Sequence, residues 1–279
     1  MKAKLLKAEI LATGNEVLTG VVADTNSAYI ASRLEETGIE VRRHVCVGDD
    51  PELIADAVTE MCKRSDLVIV TGGLGPTGDD ITAGAVAKAA GKPLVFSKEA
   101  HRSMSAYFER RKKQFQRSDT KQAMLPEGAE CIANEVGTAA GFSIKIGKCH
   151  LFAMPGVPRE MKWMLDAKVL PRTEALAGSA RMYTAKKTVS VFGLPEAVVG
   201  ERMAGFDEAF PDAAYGIRVS FPEIFVTVST RKQDPAEADS TVNSACSWIV
   251  ARIGDCAFSD NGASLPEVVG RLLLSQKET

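Results

Sequence analysis

No stretch of the 279-residue chain approaches the ~18 consecutive apolar residues that a membrane-spanning helix requires. The amino-terminal MKAKLLKAEILATG has the lysines of a signal peptide, but Glu9 interrupts it and no apolar core follows. The six cysteines, Cys46, Cys62, Cys131, Cys149, Cys246 and Cys256, include no C-x-x-C pair. A chain of this size does not depend on disulfides, so reduced thiols and a cytoplasmic location are expected. The three histidines, His44, His101 and His150, have neither H-x-x-x-H nor triad spacing and are expected to be structural or surface residues. Charge of one sign is also missing. Lys plus Arg number 34 against 36 Asp plus Glu, and the net charge of -2 gives no broad basic field to attract nucleic acid or an anionic membrane.

What is present is a globular composition: 45% hydrophobic and 25% charged residues exclude disorder, and 23 Gly with 12 Pro are too few for a collagen-like chain. At ~150 residues per domain, the length predicts about two domains. Up to residue 170, short apolar runs alternate with amphipathic stretches. Ala8–Ala12, Ile39–Val47, Leu67–Val70 and Leu151–Met154 read as strands. Ser27–Glu36, a segment capped by Asp50 and opened by Pro51, Asp80–Ala90, Ser97–Ser118 and Val157–Val169 read as helices. This order predicts an α/β fold with a mainly parallel sheet and helices on both faces. After Pro171, Lys187–Phe192, Tyr215–Ser220 and Ile224–Thr230 alternate as strands, with helices near Pro195–Met203 and Asp234–Ile253, predicting a small α+β subdomain. The expected division is residues 1–171, 172–258 and 259–279. The last segment carries an apolar helix start at Ser264–Ser275, expected to lead into a further domain absent from this chain.

The stretch Val70-Thr71-Gly72-Gly73-Leu74-Gly75-Pro76-Thr77-Gly78-Asp79-Asp80 lies between a strand and a helix, where open α/β sheets bind ligands. A tight turn with an Asp cap uses the same residue types, but four glycines and two aspartates exceed what a turn requires. Gly73-Leu-Gly75-Pro-Thr-Gly78 satisfies G-x-G-x-x-G, yet it follows the third strand and its aspartates stand where a pyrophosphate would meet the helix, so Rossmann-type binding is not expected. Gly73 and Gly78 have Walker A spacing, but Asp79 and Asp80 replace the Lys and Ser/Thr, which reverses the charge. Carboxylates and phosphates share a site when a cation lies between them. Asp80, with Asp79 and Asp49, is therefore expected to hold a divalent metal bridging to substrate phosphates. Asp50 reads better as a helix cap.

At this loop the sequence resembles the molybdopterin-binding (MoCF) superfamily, and more narrowly the N-terminal portion of the CinA family. The matching residues are Gly14 to Gly20, Asp24 to Ser27, Val47 to Asp50, Thr71 to Asp80, Lys121 to Ala123 with Pro126 to Gly128, Asn134 with Gly137-Thr138, and Met154 to Met161. The later part looks like that family's KH-like subdomain, without the G-x-x-G clamp of RNA-binding KH modules. The resemblance implies an α/β sandwich, a homodimer, and metal-dependent hydrolysis of ADP-ribose or a related nucleotide to AMP and ribose 5-phosphate. The implied cofactor is a divalent metal, Mg, Mn or Co, with a monovalent cation such as K. Asp49 and Asp80 match the family's catalytic acids, and Gln122 is a water-orienting or ribose contact. Thr71, Gly72, Gly73, Leu74, Gly75, Pro76 and Thr77 are the phosphate-side loop, joined by Pro155 and Gly156. Asn26 reads equally as a ligand contact or a helix cap, and Glu160 as a water or substrate contact or as a first-turn acid serving the helix dipole. Where the family has G-T-A-P-G, this chain has Gly137-Thr138-Ala139-Ala140-Gly141, and the E-S-C-T-G-G motif of the family's nicotinamide-mononucleotide deamidase is absent. Two other readings stand open: a molybdopterin-binding or adenylyltransferase-like protein, and a non-catalytic nucleotide-binding dimerisation module. No membrane or nucleic-acid partner is expected.

Overall fold

Two helical layers cover the two faces of one sheet, because the central strands are apolar on both faces. In the computed structural model, which describes residues 5–112, 117–178 and 182–276, the chain divides into two compact units, Met1–Arg181 and Met182–Thr279. The first contains β1 (Lys7–Thr13), α1 (Asn15–Leu18), α2 (Thr25–Glu36), β2 (Glu40–Val47), α3 (Pro51–Arg64), β3 (Leu67–Thr71), α4 (Thr82–Ala89), β4 (Leu94–Phe96) and α5 (Lys98–Arg111). A 3-10 stretch (Arg117–Ala123), β5 (Met124–Pro126), β6 (Glu130–Ile132), β7 (Gly141–Ile146), β8 (Cys149–Met154), α6 (Pro158–Met164) and α7 (Leu170–Ala177) follow. The sheet order is β2-β1-β3-β8-β7-β6. β2, β1, β3 and β8 are mutually parallel, and β7 and β6 extend the sheet by antiparallel pairing.

The period-2 alternation of strand side chains sorts the core. Leu11, Val68, Val70, Leu151 and Ala153 face one side, where they meet Ile54 and Val58 of α3, Val86 of α4 and Met104 of α5. Ile10, Leu67, Ile69, Phe152 and Met154 face the other, against Ile30 and Leu34 of α2 and Met161 and Met164 of α6. The β3 run Leu67–Thr71 is buried throughout, as expected for a strand covered on both faces.

Three elements differ from the sequence-based expectation. The helix expected from Asp80 starts at Thr82, because the Asp80 carboxylate turns back to Thr77 instead of capping the helix. The charged helix expected from Ser97 to Ser118 ends at Arg111, with Lys112 in the left-handed conformation at φ 53° that stops a helix. Residues 113–116 of that expectation lie outside the described residues. The helix expected to end at Val169 continues through a π-helical stretch, Leu165–Val169, into α7, which runs past Pro171 to Ala177. Pro171 has no N–H to offer the carbonyl four residues back, and a local change of hydrogen-bond register lets the helix pass it.

The second unit contains β9 (Tyr183–Phe192), α8 (Glu196–Arg202), α9 (Phe206–Ala209), β10 (Ala213–Ser220), β11 (Glu223–Lys232), α10 (Pro235–Ile253), β12 (Ala257–Ser259) and α11 (Leu265–Gln276). Its antiparallel sheet has the order β10-β11-β9-β12. Val189 and Val191 of β9 and Val226 and Val228 of β11 pack on Val242, Cys246 and Ile249 of α10, giving an α+β unit with its own core. None of the described helices is long and apolar enough to cross a membrane, and all six cysteines are free.

One buried charge ties the sheet to its helical layer. Glu9 on β1 is 2% exposed and accepts from Arg64 Nε at 2.7 Å, Arg64 Nη2 at 2.8 Å and Ser65 Oγ at 2.9 Å. Burial by itself would raise its pKa; the Arg64 and Ser65 hydrogen bonds and the Arg64 charge outweigh that and hold the carboxyl below its ordinary value. A depressed carboxylate contributes stability above its unfolded-state pKa, and that contribution is lost as pH falls through the folded-state value. Arg64→Ala is expected to cost on the order of 2–3 kcal/mol at pH 7, less than a fully buried pair because water reaches the arginine. Urea titrations should show this deficit shrinking as Glu9 becomes protonated at acid pH. A deficit independent of pH would mean that packing, not the charge pair, carries the effect.

Candidate functional site

Parallel pairing brings four strand ends to one edge. Thr13 of β1 lies beside Val47 of β2, and Thr71 of β3 beside both Ala12 of β1 and Met154 of β8. The segments that follow these strands therefore converge, and they wall a cleft of about 490 Å³. Its position, outside the carboxyl ends of parallel strands, is the one where open α/β sheets bind ligands.

The glycine-rich loop forms the floor, and its glycines are required by contact. Gly72 has φ +113°, and a Cβ there would overlap the Thr13 carbonyl; its N–H donates to Met154 O at 3.1 Å. A Cβ on Gly73 would collide with Thr82 Oγ1, which hydrogen-bonds Thr13 Oγ1 at 3.1 Å. At Gly75 a Cβ would sit 2.5 Å from Asp80 Oδ2. That oxygen accepts from the Thr77 N–H at 2.8 Å and Thr77 Oγ1 at 2.6 Å, closing the turn that places the carboxylate against the loop. Lys121 Nζ donates to the Thr77 carbonyl and, at 3.2 Å, to the Gly78 carbonyl, pinning the outer side of the same turn.

Asp49 is held by a reciprocal clasp. Its Oδ2 accepts from Asn15 N–H at 3.0 Å while its own N–H donates to Asn15 Oδ1 at 3.1 Å. A Cβ on Gly48 would overlap that asparagine oxygen. Asp50 caps α3, accepting from Glu52 N–H at 2.8 Å and Leu53 N–H at 3.0 Å. Asn26 is not the cap of α2; Asp24 is, accepting from Ser27 N–H at 2.8 Å. Asn26 Nδ2 instead donates to Gly156 O at 2.7 Å and Thr71 Oγ1 at 3.1 Å, bridging two strand ends and leaving its Oδ1 without a partner. Thr71 Oγ1 donates in turn to Pro155 O at 3.2 Å.

Glu160, in the first turn of α6, lines the cleft. Its Oε2 accepts from the buried Asn134 Nδ2 at 2.8 Å, and its carboxylate fills the space beside Gly137, where a Cβ would collide with it. Burial raises the Glu160 pKa above the ordinary value, only partly countered by Asn134 and Arg159. Gln122 is 6% exposed; Nε2 faces Leu74 O at 3.4 Å and Thr138 Oγ1 at 3.3 Å, and Oε1 has no partner.

Of the residues singled out in the sequence, Asn26, Asp49, Thr71, Gly72, Gly73, Leu74, Gly75, Thr77, Asp79, Asp80, Gln122, Pro155, Gly156 and Glu160 line this cleft. Pro76 does not: the turn closed by Asp80 leaves it exposed on the outside. The side chain of Leu74 packs in the core, and its carbonyl receives Gln122. Three further residues join the wall: Thr13, which no sequence motif marks, and Glu16 and Asp24, which stand in motif segments but are not among the residues expected in the site. The last two change the electrostatics. Glu16, Asp24, Asp49, Asp79, Asp80 and Glu160 all line the cleft, and no lysine, arginine or histidine joins them among the described residues.

Such a wall has the chemistry of a cation site, but not of a closed one. Among the described residues no group of three or more His, Cys, Asp or Glu side chains is placed to hold a metal ion. Asp49, Asp79 and Asp80 therefore do not form a three-carboxylate cage, because the clasp on Asp49 and the Thr77 turn hold Asp49 and Asp80 in separate loops. Two such carboxylates still suit Mg2+, which commonly binds one or two carboxylates and completes its shell with water and substrate phosphates.

Residues 9–175 match the family model described as a probable molybdopterin binding domain. A CinA-like protein of Desulfosudis oleivorans is 60% identical over 272 residues, covering 98% of this chain and 66% of that protein. A CinA-like protein of Geobacter metallireducens is 38% identical over 267 residues, covering 96% of this chain and 64% of its own length. The chain thus spans just under two thirds of these curated relatives. Among solved structures, the protein CinA of Thermoplasma acidophilum, described as having unknown function, is 34% identical with a TM-score of 0.55, covering 59% of this chain and 98% of that one.

Glu160 gives the site a testable signature. A carboxyl whose folded-state pKa is raised makes the native state lose stability as the pH rises from the unfolded-state pKa to the folded-state value, and the loss is complete above it. Glu160→Gln is expected to melt at a higher temperature than wild type at neutral pH, with the gain disappearing as the pH falls through the carboxylate range. A melting temperature lowered equally at all pH values would contradict burial as the cause of the shift.

Proposed function

Because the chain belongs to the family of the probable molybdopterin binding domain, in its CinA-like branch, we propose that its acidic cleft is the active centre of a metal-dependent nucleotide pyrophosphate hydrolase, cleaving ADP-ribose to AMP and ribose 5-phosphate. The observation that carries this reading is the pairing of unlike binding chemistries in one cleft. Backbone N–H groups of a glycine loop suit phosphate oxygens, yet six carboxylates and no basic side chain stand around them among the described residues. A phosphate enters such a site only together with a cation.

Asp49 and Asp80 would hold a divalent ion, Mg2+, Mn2+ or Co2+, whose chemistry is to neutralise the diphosphate and lower the pKa of water. The chain supplies the rest. The Gly72–Gly75 loop, seated against Thr13, Thr82 and Asp80 because its glycines carry no Cβ, offers the N–H groups of Gly73, Leu74 and Gly75 to align the diphosphate. Asn26 ties the β3 and β8 ends together, and its unpaired Oδ1 is free to accept from a substrate hydroxyl. Glu160, fixed by Asn134 and Gly137, orients the attacking water and takes its proton. Water adds to one phosphorus, the bridging P–O bond breaks, and the two phosphate monoesters leave.

The test is product chromatography of ADP-ribose incubated with the protein and each metal in turn. AMP with ribose 5-phosphate is expected, abolished by EDTA. Asp80→Asn should lower kcat at least about 100-fold, the scale of losing one electrostatic stabiliser. Formation of an adenylylated pterin from ATP, without ADP-ribose cleavage, would place the protein with adenylyltransferases. Binding without turnover of either substrate would make it a non-catalytic module.

A further inference from the structure

The same sheet carries a pocket of opposite charge at the other end of β8 from the cleft. His150 stands near the start of that strand, and Pro155, which lines the cleft, just past its end, roughly 16 Å of extended chain away. The pocket measures about 320 Å³, within the roughly 300–1,000 Å³ of sites that enclose small ligands. Its walls come from the first unit: Glu130 of β6, Ser143 and Lys145 of β7, His150 of β8, and Arg172 with Leu176 of α7.

Nothing in the fold requires these charges to meet. Antiparallel pairing sets Lys145 directly opposite His150 and Ser143 directly opposite both Glu130 and Phe152, so two rows of side chains share one face of the sheet. Like charges directly opposite each other weaken a strand pair. Arg172 adds a third basic group from the helical layer. Its Nη2 donates to Glu130 Oε1 at 2.6 Å, which commits the one carboxylate that lines the pocket among the described residues, while its Nη1 is left without an acceptor. The Lys145 ammonium, the His150 ring and the Ser143 hydroxyl make no hydrogen bond or ion pair among the described residues. Burial and, after it, the Lys145 charge hold the His150 pKa below its ordinary value. On the β3 side, the Asp66 carbonyl accepts the His150 N–H at 3.0 Å, and the Asp66 carboxylate is engaged by the Lys7 N–H. Positive charge is therefore in excess here, in a chain whose net charge is negative.

We infer that this pocket binds a phosphate monoester, with the phosphoryl group among Lys145, His150, Arg172 and Ser143 and the organic body along Phe152 and Leu176. A phosphoryl group carries about two negative charges and three strong acceptor oxygens, which match donors arriving from β7, β8 and α7. A carboxylate, with a single charge and one oxygen fewer, leaves part of that set unmet. The site differs in principle from the acidic cleft: its counter-charge is built into the chain, so it needs no metal ion.

Isothermal titration of the full chain in EDTA separates the two, because the cleft admits phosphate only together with a cation. Phenyl phosphate is the probe, and inorganic phosphate and benzoate are its controls for the organic body and the phosphoryl group. Phenyl phosphate is expected to bind more tightly than either. Lys145→Gln removes an exposed, unpaired charge and should melt as wild type does, yet weaken phenyl phosphate about tenfold, the scale of one charge-assisted hydrogen bond. Arg172→Gln should weaken it at least as much. Proton NMR of the three histidines reports the location: phenyl phosphate should raise the titration midpoint of His150, since a bound anion favours the protonated ring, and leave His44 and His101 unchanged. No binding in EDTA, affinity indifferent to Lys145→Gln, or an unmoved His150 midpoint would overturn the site. Benzoate binding as tightly as phenyl phosphate would overturn the phosphoryl assignment, and inorganic phosphate binding as tightly would overturn the monoester. Because no metal takes part, the outcome is distinguishable from that of the hydrolase assay: ADP-ribose left uncleaved does not touch the pocket, and an empty pocket does not touch the cleft.

Discussion

Parallel pairing of β2, β1, β3 and β8 is the constraint on which the site depends. Strands that run the same way must end at the same edge, and each end here is followed by a segment bearing a functional group: Asn15 and Glu16, Asp49, the Thr71–Asp80 loop, and Pro155 with Gly156. The helices that return the chain between these strands cover both faces of the sheet, so the apolar demand of β1, β3 and β8 is met on either side. The open edge is left for polar chemistry.

Within that edge, glycines set the distances. Gly72 and Gly73 bring the loop onto Thr13 and Thr82, Gly48 admits the Asn15 amide to Asp49, and Gly137 admits the Glu160 carboxylate. In each case a single methyl group would occupy space already taken by an oxygen. The result is a cleft whose carboxylates are held in place by neutral donors, Asn15, Thr77 and Asn134, and not by cations. Neutral donors orient a carboxylate while leaving its negative charge uncompensated, which keeps the site available to a cation arriving with the substrate. The buried Glu9–Arg64 pair, toward the opposite end of β1 from the cleft, shows the other arrangement: there the charge is paired and serves stability.

Much of this is legible one residue at a time. The β-branched run Leu67–Val70 announces a strand covered on both faces, Asp50-Pro51 announces a helix start, and the density of glycine and aspartate in Thr71–Asp80 exceeds what a turn needs. Other features are not legible because their partners are remote in sequence. Lys121 reaches the Thr77 and Gly78 carbonyls across 44 and 43 positions. Asn134 fixes Glu160 across 26 positions, and Asn26 reaches Gly156 across 130. Glu16 and Asp24 look like parts of a motif and gain electrostatic meaning only beside Asp49 and Asp80. The passage of a helix through Pro171 also escapes local reading, since tertiary packing of Leu165, Val169 and Leu170 overrides the usual stop signal.

The layered α/β plan and the loop that carries the chemistry are readable from the residues in order, because hydrophobic periodicity and turn residues act over a few positions and need no partner to be recognised. Packing in three dimensions fixes which carboxylates share a cleft, which asparagines hold them, and that the Gln122 oxygen beside the same loop is left unpaired. Those facts are distances between residues far apart in the chain, and only the packed sheet edge sets them.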